Sequence, residues 1–147
     1  MQLLKGTGIL VYDPPRPNLK KKPDWWVVLN TDAEICRYYR WWVWRRYMIE
    51  LKQPSWGAHI SVVRNRKPDP DKMHLWKKYQ GEKIEFEYSP MIRRSGDTTN
   101  GDRPDSYWFV DVWCNRFTEI REELGLLTEF RGEPIKYHMT VGRTWEH

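Results

Sequence analysis

Two histidines, each followed two positions later by a hydroxyl residue, have the types and spacing best suited to chemistry. His59 and Ser61 lie in the segment GAHISVVR, and His138 and Thr140 lie in IKYHMTVGR. Both segments have the composition of β-strands, in which side chains two residues apart point to the same face. Each strand is therefore predicted to present an imidazole beside a hydroxyl on one face and apolar side chains on the other.

Two imidazoles with hydroxyl neighbours can divide an acid–base task at a phosphodiester. A neutral imidazole takes a proton from an attacking water or ribose hydroxyl, and an imidazolium protonates the leaving oxygen. The ordinary histidine pKa of about 6.5 suits both roles. The hydroxyls of Ser61 and Thr140 can donate hydrogen bonds to the non-bridging phosphate oxygens. This chemistry requires neither a metal nor another cofactor, and two cysteines are too few for a four-ligand zinc site or a disulfide framework.

The elements expected to position the motifs occur twice in the order strand, strand, helix, strand. In the first half the predicted elements are strands Gly8–Tyr12 and Trp25–Leu29, a helix that starts at Asp32 with a Thr31–Glu34 capping box and ends before Pro54, and strand Gly57–Arg64. In the second half they are strands Glu82–Ser89 and Ser106–Cys114, helix Arg116–Leu127 and strand Ile135–Arg143. A short helix over Asp69–Tyr79 and polar loops over 14–24 and 90–105 complete the chain.

The size and composition of the chain limit the classes of protein it can belong to. It has 147 residues, of which 39% are hydrophobic and ten are Trp, so one domain with its own core is expected rather than a disordered chain. The formal charge of +5 favours anionic partners. We expect a cytoplasmic location away from membranes, because no signal peptide and no apolar run of about 18 residues is found.

The first predicted helix contains the run RYYRWWVWRRY, in which four arginines alternate with aromatic residues. Such a helix could bind nucleic acid by charge and base stacking. The interpretation favoured by the sequence is that the aromatic side chains pack on the sheet while the arginines are solvated or extend over it.

The paired H-x-[S/T] motifs, HIS at 59–61 and HMT at 138–140, resemble those of the 2H phosphoesterase superfamily. That family includes RNA 2′,3′-cyclic phosphodiesterases, bacterial 2′-5′ RNA ligase-like proteins and phage enzymes that cleave cyclic-oligonucleotide immune signals. The resemblance implies that His59 and His138 are the acid and base pair and that Ser61 and Thr140 bind the phosphate. It also implies an α+β fold with two pseudo-symmetric lobes of antiparallel sheet, about 1–80 and 81–147 of a single domain 1–147. The helices would pack outside, and a central groove would carry both motifs.

Additional substrate contacts are predicted near the ends of the predicted strands. The aromatic candidates for stacking on a nucleotide base are Tyr12, Trp56, Tyr137 and Trp145, and the alternative for each is packing in the core or at its rim. Lys136 precedes the second motif and could steer an anionic substrate. Arg64 and Arg143 each follow a motif histidine by five positions, an odd offset that places them on the opposite face of a regular strand.

The expected function is a metal-independent phosphodiesterase that acts on an RNA-type bond, either a 2′,3′-cyclic phosphate or an oligonucleotide linkage. A phage-type hydrolase of cyclic di- or trinucleotide signals is an alternative within this class. The expected partner is thus an RNA end or a small linear or cyclic oligonucleotide, with no obligate protein partner. Two alternatives from other classes remain: a non-catalytic RNA-binding module, and a protein that binds partners through a Trp-rich surface.

Overall fold

A computed structural model of the chain describes residues 2–16, 24–95, 98–100 and 103–144. Its strands are β1 (Leu4–Tyr12), β2 (Val27–Thr31), β3 (His59–Val63), β4 (Lys83–Tyr88), β5 (Arg93–Arg94), β6 (Thr98–Asn100), β7 (Arg103–Asp105), β8 (Tyr107–Trp113), β9 (Glu129–Phe130), β10 (Glu133–Pro134) and β11 (Tyr137–Arg143). Its α-helices are α1 (Ala33–Tyr47) and α2 (Asn115–Glu123), and a 3₁₀ helix spans Pro70–Leu75.

Seven strands form one antiparallel sheet in the order β11-β3-β2-β1-β4-β8-β5. Because β11 also pairs with β8, six of them close into a barrel, and β5 lies on β8 beside the closure. The predicted combination of antiparallel sheet with a few helices is confirmed. The described residues do not show two lobes with separate sheets and a groove between them, because the strands of both halves of the chain share one closed sheet.

The repeated order of elements along the chain is visible in the sheet. The first half supplies the neighbours β1, β2 and β3, and the second half supplies the neighbours β4, β8 and β11. The halves are joined twice, by the first strand of each (β1 with β4) and by the last strand of each (β3 with β11). The join between the last strands places the two H-x-[S/T] segments side by side.

One face of the closed sheet is apolar and carries the core. Alternate strand residues form this apolar face: Leu10, Val27, Leu29, Ile60, Val62, Ile84, Phe86, Val110, Val112, Met139 and Val141. The buried side chains of the two helices belong to the same cluster: Cys36, Tyr39 and Val43 from α1, and Phe117, Ile120 and Leu124 from α2. Full burial of each large apolar side chain contributes about 1.5–3 kcal/mol. The opposite face, which we call the motif face, carries the polar motif residues together with several aromatic and apolar side chains.

Two predicted helices differ from those observed. Asp32, and not Thr31, caps α1, because its carboxylate accepts a hydrogen bond of 2.9 Å from the backbone N–H of Glu34. The Thr31 hydroxyl instead donates to the Met139 sulfur at 3.3 Å. The segment predicted as a helix over Asp69–Tyr79 forms only the 3₁₀ helix, and the polar segment predicted as a loop over 90–105 contains β5, β6 and β7.

The favoured interpretation of the aromatic run in α1 is correct for Tyr39 and Trp42, which pack with the core, and for the exposed arginines. It is wrong for the rings on the other side of the helix. Tyr38, Trp41 and Trp44 are 56%, 54% and 44% exposed, while the side chains that pack on the sheet come from the opposite side of the helix. A helix can turn only one side toward a sheet, and the aromatic residues occupy nearly every position of this run. None of the helices in the described part of the chain is long and apolar enough to cross a membrane.

Candidate functional site

The four motif residues lie together on the motif face of β3 and β11. The two strands are antiparallel neighbours with Met139 opposite Ile60. In an antiparallel pair this register places His138 opposite Ser61 and Thr140 opposite His59. Side chains directly opposite each other have Cβ atoms about 4.5–5.5 Å apart. The two imidazoles and two hydroxyls therefore alternate at the corners of one small square.

His59 is oriented by the turn that precedes β3. Its Nδ1 lies 3.1 Å from the carbonyl oxygen of Gly57, so this nitrogen carries the hydrogen and donates it, and Nε2 of the neutral ring is free to accept a proton. Trp56 and Gly57 both have positive φ, 62° and 80°, in this turn. Glycine adopts that conformation at little cost, which explains its place two residues before the histidine.

Ser61 is oriented by an indole that sequence reasoning missed. Trp26 Nε1 donates a hydrogen bond of 3.2 Å to Ser61 Oγ. Because the indole N–H is only a donor, Ser61 accepts, and its own hydroxyl hydrogen remains available for another acceptor. The same Trp26 ring meets the His59 ring edge to face, with centroids 6.1 Å apart.

Aromatic rings and arginines together cover the first-half side of the square. Trp26 packs edge to face on Trp56 at 6.4 Å, and the guanidinium of Arg16 lies over both rings. The guanidinium of Arg64 lies 5.2 Å from the centroid of Trp26. The alternation of a regular strand, which would place Arg64 on the opposite face, does not hold here, because the register of β3 against β2 shifts between Ser61 and Val63.

The second-half side of the square is formed by β8. Asp111 is the register partner of His138, and the ring of Phe109 meets the His138 ring edge to face at 5.3 Å. Tyr107 stacks on the same imidazole at 6.4 Å. Arg93 on β5 lies 3.0 Å from one carboxylate oxygen of Asp111 and 3.1 Å from the other. A carboxylate and a cation thus stand beside the second histidine.

Both histidines are shifted toward their neutral forms. Burial lowers the pKa of His59, and the hydrogen bond to the Gly57 carbonyl opposes this effect. The charges of Arg16, Arg64 and His138 lower the pKa further. Burial also lowers the pKa of His138, but the Asp111 carboxylate opposes this effect. By accessible surface His138 is the more exposed of the two residues, so solvent weakens the effect of burial more at His138 than at His59. The surroundings favour a proton on His138 over one on His59.

The lowered pKa of His59 gives a testable dependence of stability on pH. The unfolded chain binds a proton at His59 below about pH 6.5, whereas the folded protein binds it only at lower pH. The free energy of unfolding should therefore be fully retained above about pH 6.5 and fall as the pH drops through that value. Urea unfolding at about pH 7.5 and about pH 5 measures this decrease in the free energy of unfolding, which should be smaller for His59→Gln than for the wild type. The exposed His74→Gln variant is the control and should show the wild-type loss.

The other predicted site residues are distributed over the molecule. Trp56 is 42% exposed and lies beside the square through its contact with Trp26. Tyr12 and Tyr137 are buried in the core cluster, where Tyr12 packs on the Trp76 ring and Tyr137 on the Phe117 ring. Lys136 is exposed at the start of β11. Trp145 lies outside the described residues.

Two arginines missed in the sequence hold the motif strands at equivalent points. Arg40 of α1 donates a hydrogen bond of 2.9 Å to the carbonyl of Val141, and Arg121 of α2 donates one of 3.0 Å to the carbonyl of Val62. Each valine is the third residue after a motif histidine, and each helix thus binds the motif strand of the other half. An arginine within a helix gives no sequence signal for this role. Arg143, by contrast, donates to the carbonyl of Gln53 at 2.9 Å.

In the described ranges no three His, Cys, Asp or Glu residues cluster closely enough to hold a metal ion. No protein-family model matches the sequence, and neither a curated protein nor a solved structure matches it significantly.

Proposed function

We propose that the protein is a metal-independent phosphodiesterase of the 2H phosphoesterase kind, which cleaves an RNA-type phosphodiester and needs no cofactor. The observation that carries this proposal is the square of two imidazoles and two hydroxyls across the β3–β11 pair. A phosphate placed over the square can meet an acid, a base and two hydrogen-bond donors at once. We further propose that the two halves form the walls of a groove over this square and that the protein acts in the cytoplasm.

The environments of the two histidines suggest which is base and which is acid. His59, neutral and with Nε2 free, takes the proton from the attacking water or ribose hydroxyl. His138 is the acid, because the Asp111 carboxylate favours its protonated form, and it gives its proton to the leaving oxygen. The bond between phosphorus and the leaving oxygen breaks as the bond between phosphorus and the attacking oxygen forms. One proton passes to His59, and another passes from His138 to the leaving oxygen.

Hydroxyls and a cation are placed to stabilise the charge on the phosphate. Ser61 has its hydroxyl hydrogen available because Trp26 occupies its oxygen, and Thr140 lies diagonally across the square. Arg16 lies near His59, and its Nε and Nη2 are buried without a hydrogen-bond partner among the described residues. A phosphate oxygen would satisfy these donors, which are costly to leave unpaired.

The walls on both sides of the square favour a nucleotide over a simple phosphate ester. Aromatic rings with arginines over them stand on each side: Trp26 and Trp56 with Arg16, and Phe109 with Arg93. Such surfaces bind bases by stacking and phosphates by charge. This supports an RNA terminus as substrate and equally a small cyclic oligonucleotide of the kind that phage enzymes of this family degrade.

A substrate panel tests the proposal directly. The purified protein is incubated with 2′,3′-cyclic mononucleotides, linear 2′-5′ and 3′-5′ oligonucleotides, and cyclic di- and trinucleotides, and the products are identified by mass. Hydrolysis of at least one phosphodiester is expected, with the histidine variants described below as controls. The absence of product from every member of the panel would overturn the proposal.

The pH dependence of kcat/KM should be bell-shaped, with its maximum on the acid side of about 6.5, because burial lowers the pKa of both histidines. The Asp111→Asn variant removes the carboxylate that raises the pKa of His138 and leaves Arg93 unpaired beside it. Its basic limb should move to lower pH. The control Glu85→Gln, at an exposed position on β4, should keep the wild-type profile. A wild-type profile that rises steadily to about pH 9 would instead indicate hydroxide or a lysine as the base.

A second candidate function is supported by α1. The exposed rings of Tyr38, Trp41 and Trp44 alternate with Arg37 and Arg45, a pattern suited to binding single-stranded RNA without cleaving it. This function predicts binding that weakens steeply with salt, is lost in Trp41→Ala with Trp44→Ala, and is unaffected by substitution of the motif histidines.

A further inference from the structure

A large open cavity begins where β3 ends and β11 starts. Its volume is about 850 Å³, and its walls come from residues 65–67 after β3, residues 125–127 after α2, and the segment 130–136 that leads into β11. Because the strands are antiparallel, this is the end of the pair nearer to Ser61 and His138 than to His59 and Thr140. The cavity therefore lies beyond the Ser61–His138 end of the strand pair.

Positive charge dominates the lining of this cavity. Four exposed cations, Arg66, Lys67, Arg131 and Lys136, face a single acidic residue, Glu133. Within the part of the chain that the structure describes, none of these four cations forms a salt bridge. Unpaired cations gathered around a concavity attract an anion.

A fifth cation of the cavity wall is held by backbone carbonyl groups. Arg121 lines the cavity and donates through Nε and Nη1 to the carbonyls of Leu127 and Val62. Burial lowers its pKa, and the nearby charge of Arg66 lowers it further. An anion in the cavity would relieve this repulsion.

The remaining wall of the cavity is apolar. Leu127 and Phe130 line it and are 69% and 61% exposed, beside Leu126 and Ile135. Large exposed apolar side chains next to unpaired cations match a ligand that is both anionic and aromatic, as a nucleoside phosphate is.

We propose that this cavity is a second anion subsite, which binds a phosphate group of the substrate other than the one attacked at the histidines. The inference rests on the proposed function and narrows it, because the substrate must then be an oligonucleotide with at least two phosphates. Lys136 lines the cavity, and it also lines a neighbouring pocket together with Asp111, the register partner of His138. The apolar wall takes the nucleoside attached to the second phosphate.

The test compares two 2′-deoxy dinucleotides that differ by one phosphate. Calorimetric titration measures the affinity of the wild type for the dinucleotide with and without a 5′-phosphate. The triple variant R66Q, K67Q, R131Q should lose about tenfold to a hundredfold in affinity for the phosphorylated dinucleotide, as expected for lost charged hydrogen bonds. Its affinity for the unphosphorylated one should be unchanged. The matched control K5Q, K77Q, K83Q removes the same charge from exposed positions outside the cavity lining and should behave like the wild type.

The outcomes separate this inference from the function on which it rests. The second subsite would be overturned if the wild type bound the two dinucleotides with equal affinity. It would also be overturned if the triple variant lost affinity equally for both, even if the substrate panel yields products. A panel without products would overturn the phosphodiesterase, whereas a selective loss in the triple variant would still establish the anion subsite.

Discussion

His59→Ala and His138→Ala are each expected to lower turnover by about 10²–10⁴-fold, which is the usual contribution of a positioned general acid or base to the rate. In the proposed mechanism the two histidines act on one phosphate from opposite corners of the square, so removal of either would leave one proton transfer without its group. The double variant should lower turnover by less than the product of the two single fold-decreases, because the two residues would act as a unit. The measurement is steady-state turnover of the substrate that the panel identifies.

The control for this pair is His74→Ala, which removes an exposed histidine from the 3₁₀ helix. It should keep wild-type turnover. Both motif histidines lie on the motif face, outside the core cluster, so the circular dichroism spectrum and the urea midpoint at neutral pH should change little. Turnover like that of the wild type in either motif variant would remove that histidine from the mechanism.

Thr140→Val is the second substitution with a large expected effect. It keeps the shape of the side chain and removes the hydroxyl opposite His59, so it should lower kcat by about 10²–10³-fold, as the loss of one donor to a developing oxyanion does elsewhere. KM should change less than kcat, because the hydrogen bond strengthens as charge develops. Kinetics on the same substrate measure both quantities.

Thr140→Ser is the matched control, because it restores a hydroxyl at the same position and should recover most of the lost kcat. Ser61→Ala is a less clean test, since it also leaves the buried indole N–H of Trp26 without its acceptor. A Thr140→Val variant with wild-type kcat, or a Thr140→Ser variant as slow as Thr140→Val, would show that this hydroxyl does not stabilise the reacting phosphate.

The sequence was sufficient to predict the local part of the site. Strand alternation placed His59 beside Ser61 and His138 beside Thr140, and the repeated order of strands and helices is found in the structure. These inferences depend on neighbours in the chain. The pattern of alternate residues fixes which side chains share a face whatever the tertiary structure does.

The remaining features of the site depend on contacts that are distant in the sequence. Asp111 meets His138 only through the β8–β11 register, and Trp26 reaches Ser61 only because β2 pairs with β3. The exposed aromatic side of α1 was mispredicted for a related reason. Which side of an amphipathic helix is buried depends on its docking, and a run with aromatic residues at nearly every position does not distinguish the sides.

The two strands that carry the motif histidines share fewer register pairs than any other neighbouring strands of the closed sheet. β3 and β11 share one register pair, Met139 with Ile60, whereas β11 and β8 share six. Pairings between residues far apart in the sequence form late in folding, because loop-closure entropy must be overcome before they contribute. Docking of the last strand onto β3 should therefore be the step that creates the site. A refolding chain would then regain its native tryptophan fluorescence before its activity. The final kinetic phase would report the pairing of β11 with β3.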